Sequence, residues 1–284
     1  MIRCIGKMPR YQDFFDEHCQ EISELERRFG SYVFPIDSSR IRNWLRQFGE
    51  ENLGLGLKLL KCVDYYSPSR LLTESRELHA QLLAYKQLDN PLLLEIPTYF
   101  VDFSPSSGRS QDDFIPKYRL GAGLRHNRYN KNFLYLRDVN QFFDKEGITI
   151  VFLTDFIGTG KQVLDTWEEI LWAISDKNEH ILLAMCGYDS GIAKVQEATE
   201  DKLTIITNRR YGNEHRVFSP QNTTFLATEK EILMQLCNRA GEEPTGFRDT
   251  QSTTVFYFRC PNSTISVLRA KNSNWTSLFA RHLE

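Results

Sequence analysis

One segment, ITIVFLTDFIGTGKQVLDTW (residues 148–167), restricts the possible folds of this chain more than any other. It opens with Ile148–Leu153, an apolar run rich in β-branched side chains, which is typical of a parallel strand that is covered on both faces. A loop with two glycines and an amphipathic helix follow, and this order predicts an α/β fold with a parallel sheet. The side chains expected on the inner face of the helix are Val163, Leu164, Trp167, Ile170 and Leu171.

The loop in this segment has the composition of an anion-binding site. Gly158 and Gly160 permit backbone turns that other residues avoid, so several N–H groups can converge on one anion, and the helix N-terminus adds about half a positive charge. Thr159 and Lys161 would add a hydroxyl donor and a cation. Asp155, at the end of the strand, is placed to accept hydrogen bonds from sugar hydroxyls. We predict a phosphate site here, with a ligand-free tight turn as the alternative.

Two common nucleotide-binding motifs do not fit this loop. A Walker A loop requires a glycine five residues before Gly160 and a serine or threonine after Lys161, but Asp155 and Gln162 occupy those positions. A dinucleotide-binding fingerprint requires a third glycine, which is absent after Gly160. The loop therefore indicates phosphate binding of another type.

The pattern changes near residue 90, which predicts two domains at 1–90 and 91–284. Apolar residues before this point recur at steps of three and four, as in helices, although residues 53–63 fit either a helix or a strand. After Pro91, short apolar runs alternate with helical stretches, which indicates an α/β sheet. One predicted helix is capped by Ser38 and Ser39, and its inner face consists of Ile41, Trp44, Leu45 and Phe48. A second predicted helix begins near Pro68, and its inner face consists of Leu71, Leu78, Leu82 and Tyr85. The predicted strands lie in Leu92–Phe103, Ile148–Leu153, Ile181–Cys186, Leu203–Thr207 and Thr253–Phe258, and further helices in Phe114–Leu124 and Glu229–Cys237.

Composition excludes several classes of protein. A formal charge of −2 over 284 residues gives no general attraction to nucleic acid or anionic lipid. No apolar stretch approaches the roughly 20 residues of a membrane span, and the N-terminus lacks the apolar core of a secretory signal, so we expect a cytoplasmic protein that does not contact a membrane. The six cysteines are widely spaced and are expected to be free, mostly buried thiols, and the six histidines show no metal-ligand spacing.

The segment resembles the diphosphate-sugar signature of type I phosphoribosyltransferases, in which an apolar strand ends in two acidic residues before a glycine-rich loop. Thr154 stands at the position of the first acid and Asp155 at that of the second, while Gly158–Gln162 match the 5′-phosphate loop. The resemblance implies that Asp155 binds the ribose hydroxyls of phosphoribosyl diphosphate and that Gly158, Thr159, Gly160, Lys161 and Gln162 hold its phosphate. It also implies Mg²⁺ as a cofactor. Because Thr154 is not acidic, binding is better supported than turnover.

Further stretches resemble one family in particular, the phosphoribosyltransferase-like proteins of the PRTase-CE type found in bacterial conflict loci, including retron antiphage systems. These stretches are Trp44–Glu51, Leu59–Ser67, Cys186–Gly191, the late CPNSTISVL and the following WTSLFAR, with Arg269 where the family has a tryptophan. The resemblance covers roughly residues 40–282. It implies a type I phosphoribosyltransferase-like parallel sheet after an N-terminal helical domain, and a reverse transcriptase with its noncoding RNA or DNA as possible partners.

Other residues are weaker candidates for the site. Ser107 and Arg109 follow an earlier strand, where related enzymes hold pyrophosphate, but an ordinary surface loop fits equally well. Asp189, after the next strand, could contact the transferred base or the diphosphate. Arg209, Arg210, His215 and Arg216 suggest an exposed basic loop that either meets nucleic acid or is simply solvated, and Trp44 and Trp275 are expected to be core anchors.

Together these features predict an effector of a bacterial defence system that binds phosphoribosyl diphosphate or a related nucleotide. Such an effector would transfer or cleave the phosphoribosyl group, with Asp155 and Thr154 at the reacting sugar. The alternative is a non-catalytic sensor or assembly protein that uses the same pocket, and the Thr154 substitution favours it.

Overall fold

A computed structural model describes residues 11–89, 97–103, 114–241 and 243–280. The α-helices are α1 Tyr11–Glu17, α2 Cys19–Phe29, α3 Ser38–Arg46, α4 Leu53–Lys61, α5 Pro68–Tyr85, α6 Phe114–Gly121, α7 Lys161–Ile170, α8 Asp189–Ala198, α9 Ala227–Ala240 and α10 Ser266–Arg269. The strands are β1 Asp64–Tyr66, β2 Thr98–Asp102, β3 Phe133–Tyr135, β4 Thr149–Ile157, β5 Glu179–Tyr188, β6 Thr204–Tyr211 and β7 Thr254–Phe256. Short 3₁₀ helices occupy Glu50–Asn52, Asn127–Asn132, Leu136–Phe142, Leu171–Ala173, Asn213–His215 and Phe247–Asp249.

Five of these strands form one parallel sheet in the order β3-β2-β4-β5-β6. β4 lies at the centre and is almost wholly buried, as its apolar sequence predicts. One face of the sheet packs against α7, α8 and the 3₁₀ helix Leu136–Phe142. The predicted α/β class and parallel sheet are confirmed.

The chain divides into two compact units, which we describe separately. The sheet unit comprises Ser69–Asn213, and the other unit combines Met1–Pro68 with Glu214–Glu284. The predicted domains at 1–90 and 91–284 stay a prediction, and the compact units divide the chain after Pro68 and after Asn213 instead. Helix α5 belongs almost entirely to the sheet unit, and the residues after Asn213 belong with the N-terminal helices.

The unit formed by the two ends of the chain has its own apolar core. Trp44 and Trp275 are 2% and 1% exposed, and both indole N–H groups donate to the carbonyl of Val267 at 2.9 Å. The prediction that these tryptophans are core anchors is confirmed. β1 and β7 pair in parallel inside this unit, so the predicted late strand is not part of the main sheet. The sequence did not indicate this pairing, because its two strands are short and far apart in the chain.

Several local predictions were wrong. Asp37 caps α3 by accepting a hydrogen bond from the Arg40 backbone at 2.7 Å, so Ser38 and Ser39 are inside the helix. Tyr85 and Leu171 are 47% and 45% exposed rather than on inner faces, because each lies at the end of its helix. Of residues 53–63, which fitted either a helix or a strand, Leu53–Lys61 form helix α4, so the helical alternative is confirmed.

The structure also bears on the predictions about the cysteines and about membrane-spanning segments. The described cysteines are free thiols, of which Cys186, Cys237 and Cys260 are buried. Burial raises the pKa of the Cys237 thiol to about 11, which keeps it protonated at neutral pH. No helix in the described ranges is long and apolar enough to cross a membrane.

Candidate active site

The carboxyl ends of the parallel strands bring the predicted acidic position and the glycine loop together. β4 continues beyond the predicted Leu153 to Ile157 and carries Thr154 and Asp155 near its end, where they are 6% and 4% exposed. In an open parallel sheet, ligands bind at this edge because strand ends and helix N-termini converge there. Asp155 therefore lies near the edge of the sheet where a ligand is expected, six residues before helix α7 begins.

The loop after β4 ends at Gly160, the residue immediately before α7. Gly160 is the N-cap of this helix and has φ +77°, in the left-handed region that favours glycine. Gly158 is not among the described glycines with positive φ, so the predicted special turn is located at Gly160 alone. The first amides of α7 begin directly after Gly160, which gives the loop the partial positive charge of a helix N-terminus.

Lys161 and Gln162 begin helix α7. The Lys161 Nζ lies 2.6 Å from Asp165 Oδ1, and both side chains are about half exposed. Exposed ion pairs of this kind contribute little to stability, typically 0–1 kcal/mol, so Lys161 can exchange Asp165 for an anionic ligand at small cost. The predicted cation is therefore at the loop, although an intrahelical partner engages it.

Asp189 begins α8 at the same edge of the sheet, directly after β5. Its carboxylate accepts a charged hydrogen bond from Arg210 Nε at 2.6 Å. The prediction that Arg209 and Arg210 lie in an exposed loop was wrong, because both residues belong to strand β6. This strand pairs with β5 as far as Tyr211, although its polar side chains are typical of a loop. Arg210 therefore lies beside Asp189 at the carboxyl ends of the strands, where the candidate site is.

A second basic residue of β6 faces a buried acid. Glu74 of α5 is 8% exposed, and its Oε1 lies 2.7 Å from Arg70 Nε and 3.9 Å from an Arg209 amino group. The Asn208 side chain also donates to the Glu74 carbonyl. These contacts join α5 to the end of β6, so they support the edge of the sheet.

Sequence reasoning missed Asp102, the last residue of β2. Asp102 is 2% exposed, and its register partner on the central strand is Leu153, the residue before Thr154. The backbone N–H of Phe103 donates to the Leu153 carbonyl at 2.9 Å, which holds the two strand ends together. The signal was available in the sequence as a lone carboxylate ending an apolar strand, the same pattern that identified Asp155.

Some predicted residues do not join the site. Ser107 and Arg109 lie outside the described residues. His79 is 3% exposed, with its Nδ1 2.9 Å from the Tyr118 hydroxyl, and burial lowers its pKa to about 4. Burial also lowers the pKa of His180. Both buried histidines are therefore neutral core residues.

Comparison with known proteins identifies the family. The chain matches the model of the PRTase-CE family over residues 41–281, which is close to the span of the resemblance seen in the sequence. Comparison with curated proteins gives no match, and comparison with solved structures gives none either. Since the family model covers most of the chain and the sheet has the expected parallel order, the protein belongs to the phosphoribosyltransferase-like PRTase-CE family.

Proposed function

We propose that this protein binds phosphoribosyl diphosphate or a related nucleotide and transfers or cleaves its phosphoribosyl group. The observation that carries the proposal is the joint position of buried Asp155 and left-handed Gly160 at one edge of the sheet, in a member of a phosphoribosyltransferase-like family. A carboxylate for sugar hydroxyls and a helix N-terminus for a phosphate are the two elements that a sugar phosphate requires.

Each residue would have a defined role. Asp155 would orient the ribose by accepting hydrogen bonds from its hydroxyls. The backbone of Gly158–Gln162 would bind the 5′-phosphate, and Lys161 and the Thr159 hydroxyl would add a cation and a donor. In the reaction, the bond between C1′ and the diphosphate oxygen breaks, diphosphate leaves with the bonding electrons, and a nucleophile bonds to C1′. With water as the nucleophile, the products are ribose 5-phosphate, diphosphate and a proton.

The residues present fit Mg²⁺ that arrives with the substrate rather than Mg²⁺ held by a protein cage. In the described part of the chain, no group of three or more acidic, histidine or cysteine side chains is arranged to hold a metal. Substrate-bound Mg²⁺ usually keeps several waters and uses one or two carboxylates plus substrate phosphates. Asp155 and Asp102 are the buried carboxylates that could serve. When bound, the ion would neutralise charge on the leaving diphosphate.

The second candidate function is sensing without turnover, which Thr154 favours. A threonine cannot supply the negative charge that an acid would place beside a developing positive charge on the sugar. Asp102, on the neighbouring strand, is the feature that favours turnover instead, because it brings a second buried carboxylate to the same edge. The two functions share the pocket and differ only in chemistry.

Calorimetric titration with phosphoribosyl diphosphate and Mg²⁺ tests binding. We expect the unmodified protein to bind and Asp155→Asn to bind at least about tenfold more weakly, a loss of about 1.4 kcal/mol. Asp201→Asn is a matched control. Asp201 is exposed and precedes β6, so it lies near the amino-terminal ends of the strands, away from the candidate site. No heat at millimolar ligand in the unmodified protein would reject the proposal.

Release of diphosphate over time separates the enzyme from the sensor. Steady release that Asp102→Asn slows more than it weakens binding would support turnover with Asp102 at the reacting sugar. Tight binding without release would support the sensor.

We further propose that this activity serves a bacterial antiphage defence system and that a reverse transcriptase with its noncoding RNA is the partner. Family membership and the resemblance of five separate stretches support this role. The test is a plaque assay on cells that carry the gene with its neighbouring genes, comparing the unmodified protein with Asp155→Asn. Equal protection by both proteins, or purification without nucleic acid or reverse transcriptase, would contradict the respective part of the proposal.

A further inference from the structure

The glycine loop packs directly against the first turn of α8. A Cβ atom on Gly191 would overlap the carbonyl oxygen of Gly158 and lie 3.1 Å from the Gly160 nitrogen. In the reverse direction, a Cβ on Gly160 would lie 2.6 Å from the Gly191 carbonyl oxygen and 2.9 Å from Val195 Cγ2. The two backbones can approach this closely only because neither Gly160 nor Gly191 has a side chain.

This contact fixes the direction of one peptide group in the loop. The carbonyl of Gly158 points at Gly191, and the described peptide bonds are trans. In a trans peptide, the C=O and the following N–H point in opposite directions. The N–H of Thr159 therefore points away from α8.

The opposite orientation of this peptide would harm an anion site. If the Gly158–Thr159 peptide rotated by half a turn, a carbonyl oxygen would replace the Thr159 N–H on the side away from α8. That oxygen carries partial negative charge and would repel a phosphate, whereas an N–H group attracts it. A side chain at position 191 would press on the Gly158 oxygen and favour this rotation or a displacement of the loop.

We infer that Gly191 is a positioning residue for the phosphate site: by admitting the Gly158 carbonyl, it holds the Thr159 N–H toward a phosphate monoester. The inference rests on the proposed function and adds that α8, which follows a different strand, controls the geometry of the loop after β4. Gly191 does not itself touch the ligand.

The test compares two crowded glycines of the sheet unit. We expect Gly191→Ala to bind ribose 5-phosphate about tenfold more weakly, or worse, in a calorimetric titration. Gly121→Ala is the control, because a Cβ there would lie 2.7 Å from the Leu72 carbonyl oxygen, at the packing of α6 on α5 and not at the loop. It should lower the thermal midpoint while leaving the affinity within about twofold.

The outcomes separate this inference from the proposed function. If the unmodified protein binds neither phosphoribosyl diphosphate nor ribose 5-phosphate, the proposed function fails and this inference fails with it. If the unmodified protein binds and Gly191→Ala binds equally well, or if Gly121→Ala weakens binding as much, only the inference is overturned.

A second measurement applies even if Gly191→Ala does not fold. Hydrogen exchange of the unmodified protein should show the Thr159 amide slowed when ribose 5-phosphate is added, because that N–H would donate to the phosphate. Unchanged exchange at Thr159 with ligand bound would overturn the inference, since the oriented amide would then have no role.

Discussion

Three segments of this chain have a glycine on either side of one residue, and two of them, Gly54–Gly56 and Gly158–Gly160, adopt opposite structures. Gly54 and Gly56 lie inside helix α4, with leucines before, between and after them. Gly158 and Gly160 lie between a strand and a helix, and Gly160, unlike Gly56, adopts a left-handed conformation, as Gly123 also does after helix α6. Spacing of glycines alone therefore does not identify a phosphate loop.

The difference lies in what surrounds each pair. Leucines at positions 53, 55, 57, 59 and 60 are all buried, and this apolar burial outweighs the roughly 1 kcal/mol by which each glycine disfavours a helix. Gly56 also has a packing role, because a Cβ there would lie 2.9 Å from a methyl group of Leu45 and 3.2 Å from the Phe48 ring. Nothing in the structure explains Gly54, which has open space where a Cβ would be.

The largest effect should come from Gly160→Ala. Alanine at φ +77° is strained by about 1–3 kcal/mol, and its Cβ would also press on the Gly191 carbonyl oxygen. We expect a lower denaturant midpoint together with a loss of ribose 5-phosphate binding of more than about tenfold. Unchanged binding in a folded Gly160→Ala protein would remove the distinction between the two glycine pairs.

Acid should affect the unit that carries the phosphate loop before it affects α4. The two buried histidines of the described chain, His79 and His180, both belong to the sheet unit. The pKa of His79 is about 4 when folded and about 6.5 when unfolded, so the unfolded state takes up a proton first as pH falls. Stability should fall between about pH 6.5 and 4, by up to about 3 kcal/mol for His79, and then level off.

Hydrogen exchange as a function of pH checks this prediction. Amides of β4 and β5 should lose protection in this range while those of α4 keep theirs. His79→Gln should flatten the pH dependence, because glutamine does not titrate and can still contact the Tyr118 hydroxyl. An equal loss in both units would contradict the prediction.

Gly56→Ala should destabilise the protein without affecting the ligand. The gain in helix preference is about 1 kcal/mol, and overpacking against Leu45 and Phe48 costs about 1–3 kcal/mol, so a small net loss is expected. Denaturant unfolding measures the loss, and calorimetry should give an unchanged affinity. A net gain in stability would show that the side chains of α3 and the residues after it yield easily.

The smallest effect should come from Gly54→Ala, and it should have the opposite sign. A Cβ at this position meets nothing within 4 Å, so alanine should stabilise α4 by about 0.5–1 kcal/mol. The thermal midpoint should rise slightly and ligand binding should not change. A fall in the midpoint would mean that Gly54 has a role outside the contacts seen here.

The central strand, its loop and α7 could be predicted because one short stretch combined every local signal. A continuous β-branched run, a change to helical spacing and two intervening glycines agree with each other. Helix α9 was predicted for similar reasons. These elements need no knowledge of distant partners.

The parts that could not be predicted depend on such partners. Arg209 and Arg210 lie on strand β6 because β5 supplies the hydrogen bonds, although their side chains are typical of a loop. Asp102 ends an apolar strand as Asp155 does, but its position beside the central strand comes from the register with Leu153, which no local pattern encodes. Whether Thr154 and Asp155 act on a substrate stays a prediction, because residue type at a strand end indicates chemistry but not turnover.

The pairing of β1 with β7 has a consequence for how the chain is made. Tyr66 of β1 emerges from the ribosome before the whole of the sheet unit, and its partner Phe256 emerges only after that unit. The sheet unit can therefore complete its contacts during translation, while the apolar surface around β1 waits exposed for the last part of the chain. Contacts so distant in sequence form slowly and leave strand edges open to wrong partners. Synthesis rate and chaperone supply should consequently influence the yield of folded protein.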